Sequence, residues 1–95
     1  MSPETIEVLL TMLKTDLGIT TDAYDTRLTQ YLRNAEKQIT REGVTLDGDA
    51  IGDQQLAVMY AAWTWRKRDT GEGMPRMLRY TLNNRIFAEK VAANG

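Results

Sequence analysis

Apolar residues recur every three or four positions along most of the chain, which is the spacing of α-helices with one buried face. The first such segment runs from about Pro3 to Leu17. Ser2 is a suitable N-cap, Pro3 fits the first helical position, and Gly18 offers a left-handed stop. The apolar face of this predicted helix consists of Ile6, Leu9, Leu10, Leu13 and Leu17.

A second helix is predicted from about Asp22 to Arg41, with Thr21 as its cap and Gly43 at its end. Its apolar residues form one narrow stripe, so this helix has a single buried side. The stripe consists of Tyr24, Leu28, Tyr31, Leu32, Ala35 and Ile39.

Between this helix and the next, residues 43–52 lack a helical period, and Val44 and Leu46 suit a short extended piece. A third helix is predicted from about Gln54 to Arg68, capped by Asp53. It is apolar nearly all round, which predicts burial on more than one side and a central place in the fold. Its main stripe is Leu56, Met59, Tyr60 and Trp63, and the remaining sides hold Val58, Ala61, Ala62 and Trp65.

The fourth predicted helix, from Pro75 to about Ala92, has two apolar faces, and Asn94 and Gly95 follow as a frayed end. One face carries Leu78, Leu82 and Ile86, and the opposite face carries Met77, Tyr80, Phe87 and Val91. One face can dock on the core of a small four-helix domain, whereas the other has no partner there. We therefore predict an all-α single domain over residues 1–95, with the Met77, Tyr80, Phe87 and Val91 face as a subunit interface.

Polar residues separate these two faces on one side of the fourth helix. They are Arg76, Arg79, Asn83 and Lys90, and Arg66 and Arg68 close the third helix nearby in sequence. This strip suits a phosphate-lined channel or an acidic partner, and it equally suits a solvated helix side. The cations at the end of the third helix are also explained by the helix dipole.

Composition limits the chemistry available to this chain. It has no histidine and no cysteine, so the commonest general base, the commonest metal ligand and any disulfide are missing. Residues 47–53 resemble a calcium loop only superficially, because Ile51 stands at a ligand position. The N-terminus shows no signal peptide and no segment suits a membrane span. We predict a non-enzymatic protein with no cofactor and no metal, made in a cytoplasm.

Charge is distributed unevenly along the chain despite a formal net charge of −1. Residues 1–53 hold five basic and ten acidic residues, a net of −5, and residues 54–95 hold seven and three, a net of +4. Opposite charges in the two halves suit head-to-tail packing between copies, although chance segregation on a solvated surface gives the same numbers.

Three stretches resemble the small helical head–tail connector (adaptor, DNA-packaging) proteins of long-tailed bacteriophages and prophages. The third stretch is the most specific of them. The stretches are residues 13–19 with the helix that carries Leu28, Tyr31, Leu32 and Ala35, then residues 56–68, and then residues 74–85.

The resemblance implies a ring of about a dozen copies at the head–tail junction of the virion. It further implies contacts with a portal protein on one side and with a tail-completion protein on the other, while phage DNA passes transiently through the ring. The alternative is a small helical DNA-binding regulator that uses the cations of the polar strip. The negative net charge and the lack of helix-turn-helix spacing speak against that alternative.

Overall fold

A computed structural model describes residues 1–94; Gly95, the last residue of the predicted frayed end, lies outside the described residues. The described part contains four helices and no strand, so the predicted all-α architecture is confirmed. None of these helices is both long and apolar enough to cross a membrane. The helices are α1 (Pro3–Leu17), α2 (Asp25–Arg41), α3 (Ile51–Thr70) and α4 (Arg76–Asn94).

Both ends of α1 follow the sequence signals. The Thr5 N–H donates to Ser2 Oγ at 3.1 Å, which satisfies one of the free amides of the first turn. Gly18 adopts φ +70°, and its N–H returns to the last turn, to the carbonyl of Thr15. A side chain is strained at this φ, so glycine suits the position.

The starts of α2 and α3 were predicted wrongly. Helix α2 begins at Asp25 rather than Asp22, because the Thr21 hydroxyl accepts the Ala23 N–H at 3.2 Å and so forms a local turn instead of a cap. Helix α3 begins at Ile51 rather than Gln54. Asp53 therefore lies inside the first turn, and its carboxylate is used by more distant groups.

Helices α1, α2 and α3 form a bundle around one hydrophobic core. Helix α2 runs antiparallel to α1, since Arg33 donates to the Met1 carbonyl at one end while Lys14 pairs with Asp25 at the other. Trp65 of α3 packs edge-on against Tyr31. The buried residues of this core are Ile6, Leu9, Leu13, Leu28, Leu32, Ala35, Ala57, Val58, Ala61, Ala62 and Trp65.

Helix α4 lies on another side of α3 and closes a second, smaller core. Helix α3 packs against each of the other three helices, which confirms its predicted central place. Val44 joins the second core from the irregular stretch before α3, and no strand forms there. The buried residues of the second core are Ile39, Val44, Leu56, Leu78 and Leu82, with Ile86 partly buried beside them.

The two faces of α4 differ in what they contribute to folding, and one substitution on each tests this. Leu82 is fully buried, so Leu82→Ala should lower the free energy of unfolding by about 2–5 kcal/mol. Phe87 is 69% exposed, so Phe87→Ala should change it by less than about 0.5 kcal/mol. Urea unfolding of both variants measures the difference, and equal losses would contradict the assignment of the two faces.

Candidate subunit interface on the fourth helix

An ion pair between the buried Asp53 and the half-buried Arg85 sets the orientation of α4. Arg85 Nε lies 2.7 Å from Asp53 Oδ1, and Arg85 Nη2 lies 3.2 Å from Asp53 Oδ2. Asp53 is 5% exposed, and Oδ2 also accepts the Asp47 N–H at 2.8 Å. A two-pronged contact of this kind restricts rotation as well as distance. It therefore joins the first turn of α3 to the middle of α4.

The same arginine also holds the irregular stretch before α3. Arg85 Nη2 donates to the Thr45 carbonyl at 2.9 Å, and the Thr45 N–H donates to the Glu89 carboxylate. Glu89 lies 3.4 Å from Arg85 Nη1, one turn further along α4. The hydrogen bond from the Thr45 N–H is the main reason that the pKa of Glu89 lies below its ordinary value. Loop and helix are thus joined through both backbone groups of Thr45.

Opposing influences act on the pKa of Asp53. Burial alone raises the pKa of this carboxyl. The hydrogen bond from Arg85, the Asp47 N–H and the positive charge of Arg85 outweigh burial, so the pKa lies below its ordinary value. The Asp53–Arg85 contact is therefore an ion pair at neutral pH.

With this orientation, the apolar face predicted as a subunit interface points away from the domain. Met77 is 67% exposed, Tyr80 62%, Phe87 69% and Val91 54%. Leu78 and Leu82, on the opposite face, are buried. We call the four exposed residues the outer face. Four large apolar side chains on one side of a single helix form a patch of the kind that marks contact sites.

The polar strip lies beside the outer face. Arg76, Asn83 and Lys90 are exposed, and Arg76 and Lys90 take part in none of the ion pairs found among residues 1–94. Arg79 is placed differently, since its Nη1 lies 3.7 Å from Glu42 Oε2 at the end of α2. The strip therefore faces the α2 side of α4.

The two cations at the end of α3 have different surroundings. Arg68 stacks its guanidinium 3.7 Å from the centre of the Trp65 ring and lies 3.7 Å from Asp69. Arg66 is exposed and lines a groove between α3, the end of α1 and the start of α4, together with Asp16 and Met77. Arg66 thus lies on the opposite side of α4 from Arg79.

Three exposed apolar residues were not predicted as candidates. One is Tyr24, which was predicted on the buried stripe of α2 but lies just before that helix begins and is 45% exposed. Val8 is 52% exposed and Ile51 70% exposed. Val8 does carry a signal, because it lies off the apolar stripe of α1 and so must point elsewhere. Ile51 was placed in a loop, and its exposure follows from the earlier start of α3.

A profile of the family described as "Phage gp6-like head-tail connector protein" matches residues 7–87. The match extends from the first half of α1 to Phe87, so it includes the ion pair, most of the outer face and both cores except Ile6. No curated protein and no solved structure matches the chain.

The ion pair can be tested against an exposed pair on the same helix. Arg85→Met leaves the buried Asp53 carboxylate without its partner, and we expect a loss of about 3 kcal/mol in unfolding free energy. Arg79→Met removes a partly exposed pair and should cost less than about 1 kcal/mol. Chemical denaturation compares the two variants. A loss for Arg85→Met no larger than that for Arg79→Met would show that the Asp53 pair does not hold α4.

Proposed function

The chain belongs to the phage gp6-like head–tail connector family, and from that premise we propose that its copies form a ring between portal and tail. The family gives it a structural role at the head–tail junction of the virion. The finer proposal has three parts. They are assembly with copies of itself, contacts with a portal protein and a tail-completion protein, and transient passage of phage DNA through the ring.

The outer face of α4 carries the proposal of self-assembly. One copy exposes Met77, Tyr80, Phe87 and Val91 to water, although burying such side chains is favourable. The residues share one side of one helix, so a neighbouring copy can cover them with a single continuous surface. Closed assemblies of identical subunits are the common way in which proteins cover such a patch.

The size of the outer face indicates that two free copies bind one another weakly. Its four side chains expose on the order of 500 Å², less than the roughly 800 Å² per partner of a standard interface. A portal ring that holds many copies close together raises their effective concentration and compensates for this. We therefore propose that assembly is strongest on the portal.

The charge of the chain fits a passage for DNA better than a site of tight DNA binding. The net charge is −1, and the exposed cations are few. A protein that released DNA slowly would obstruct ejection, whereas weak attraction independent of sequence would not. Arg66 and Arg68, at the end of α3, are the cations that we propose for this weak contact.

Replacing an outer-face residue by a charge should prevent assembly without unfolding the subunit. We expect Tyr80→Asp and Phe87→Asp to keep the wild-type free energy of unfolding within about 0.5 kcal/mol, because both side chains are exposed. We expect both variants to lose self-association in concentrated solution and binding to portal rings of the same phage, as measured by sedimentation velocity.

The matched control for these variants is Thr40→Asp, which adds the same charge at an exposed position of α2. It should assemble like the wild type. Assembly of Tyr80→Asp and Phe87→Asp at the wild-type level would overturn the role of the outer face.

DNA binding should be weak, independent of sequence and sensitive to salt. The logarithm of the binding constant should fall with the logarithm of salt concentration, and Arg66→Gln should reduce that slope by about 1 if Arg66 contacts a phosphate. Fluorescence anisotropy on duplexes of different sequence measures both properties. Strong preference for one sequence would instead favour a DNA-binding regulator.

A further inference from the structure

A ring of identical copies requires two different surfaces on each copy, one that inserts and one that receives. The inference here rests on the proposed ring and names the receiving surface. We propose that the outer face of one copy docks on a surface between α1 and α3 of the next copy. This α1–α3 surface is formed by Val8, Met12, Ile51 and Gln55.

Helices α1 and α3 lie side by side and run in the same direction. At their starts, Gly48 touches α1 so closely that a Cβ there would lie 3.2 Å from Thr5 Oγ1. At their far ends, Asp16 and Arg66 line the same groove. The side of α3 between these points therefore faces outward between α1 and α4.

A groove follows this side of α3. Met12, Gln55 and Met59 line its middle, and Asp16 and Met59 continue it toward the start of α4. The middle part has a volume of about 280 Å³, which is enough for an aromatic side chain. Val8 and Ile51 stand one helical turn before Met12 and Gln55. They form an exposed apolar surface next to the groove.

Charge favours a second copy as the occupant of this groove. Several carboxylates around it form none of the ion pairs found among residues 1–94, although other acidic residues of the chain do. They are Asp16, which lines the groove, Glu4, which lies one helical turn before Val8, and Asp49, which lies two residues before Ile51. The polar strip beside the outer face holds Arg76 and Lys90, which are also unpaired within that range. Apart from Arg66 at the end of the groove, the charges near the groove are acidic and those beside the outer face are basic, so the two surfaces attract one another.

Another open depression is a poorer receiver for an apolar helix face. It lies between α2 and α3 and is lined by the amides of Gln30, Asn34 and Gln38. Covering it with Tyr80 and Phe87 would bury three amides, whereas covering the α1–α3 surface buries one, that of Gln55, so fewer polar groups lose their hydrogen bonds to water there. Met77 borders the far end of the groove, but none of the four residues of the α1–α3 surface belongs to the outer face, so the same contact can repeat from copy to copy.

The chain has no cysteine, so single introduced cysteines report contacts directly. Ile51→Cys and Phe87→Cys proteins would be mixed in equal amounts on portal rings and oxidised mildly, with Thr40→Cys replacing Ile51→Cys as the matched control. A disulfide forms only when the two Cα atoms come within ~7 Å. We therefore expect the disulfide-linked dimer of one Ile51→Cys and one Phe87→Cys subunit to form in at least about ten-fold greater yield than the dimer from the control mixture. Repeating the experiment with Val8→Cys allows for a small error in register.

Control-level crosslinking from both Ile51→Cys and Val8→Cys would overturn the inference. A predominance of disulfides between two Phe87→Cys subunits would also overturn it, in favour of a symmetric contact between two α4 helices. Ile51→Asp distinguishes this failure from failure of the ring itself. If Tyr80→Asp abolishes assembly while Ile51→Asp leaves it intact, the proposed function stands and the α1–α3 surface is not the receiver. If neither variant affects assembly, both proposals fail.

Discussion

The contact between Asp53 and Arg85 determines which face of α4 packs against the rest of the protein. A helix that is apolar on two opposite faces has two comparable ways to pack on a neighbour. The two-pronged pair removes that ambiguity, because Arg85 reaches the first turn of α3 only when Leu78 and Leu82 face inward. Removing two charges from water is costly, so we expect the pair to contribute specificity of packing more than net stability. Its ties to Thr45 fix the irregular stretch at the same time.

This orientation of α4 places the residues that stabilise the fold on one face and the residues proposed for assembly on the other. The three-helix core is complete without the outer face, and the second core uses only the inner side of α4. The outer face is thus free to serve contacts between copies, in keeping with the structural role of the family. Three of the four residues of the proposed receiving surface, Val8, Met12 and Ile51, lie in the acidic half of the sequence, while the outer face lies in the basic half.

Local periodicity was enough to predict the four helices, the central place of α3 and the direction in which each face of α4 points. Those properties depend on side chains a few positions apart, which a sequence displays directly. The role of Asp53 was not predictable in this way. Its position suggested a helix cap, and its true partner, Arg85, is distant in sequence and lies on another helix. Ile51 was missed because α3 begins after Ala50, which forms no side-chain cap, so no capping residue marks the start of the helix in the sequence.

The exposure of Tyr80 and Phe87 also has a consequence for how such a protein diverges between phages. Substitutions there change the free energy of unfolding very little, so selection acts on them mainly through the partner surface that these side chains contact. The neighbouring residues Leu78 and Leu82 are under the opposite regime, because the subunit loses its second core when they change. The two faces of α4 can therefore change independently of one another, and a new docking specificity can arise without a loss of folding stability.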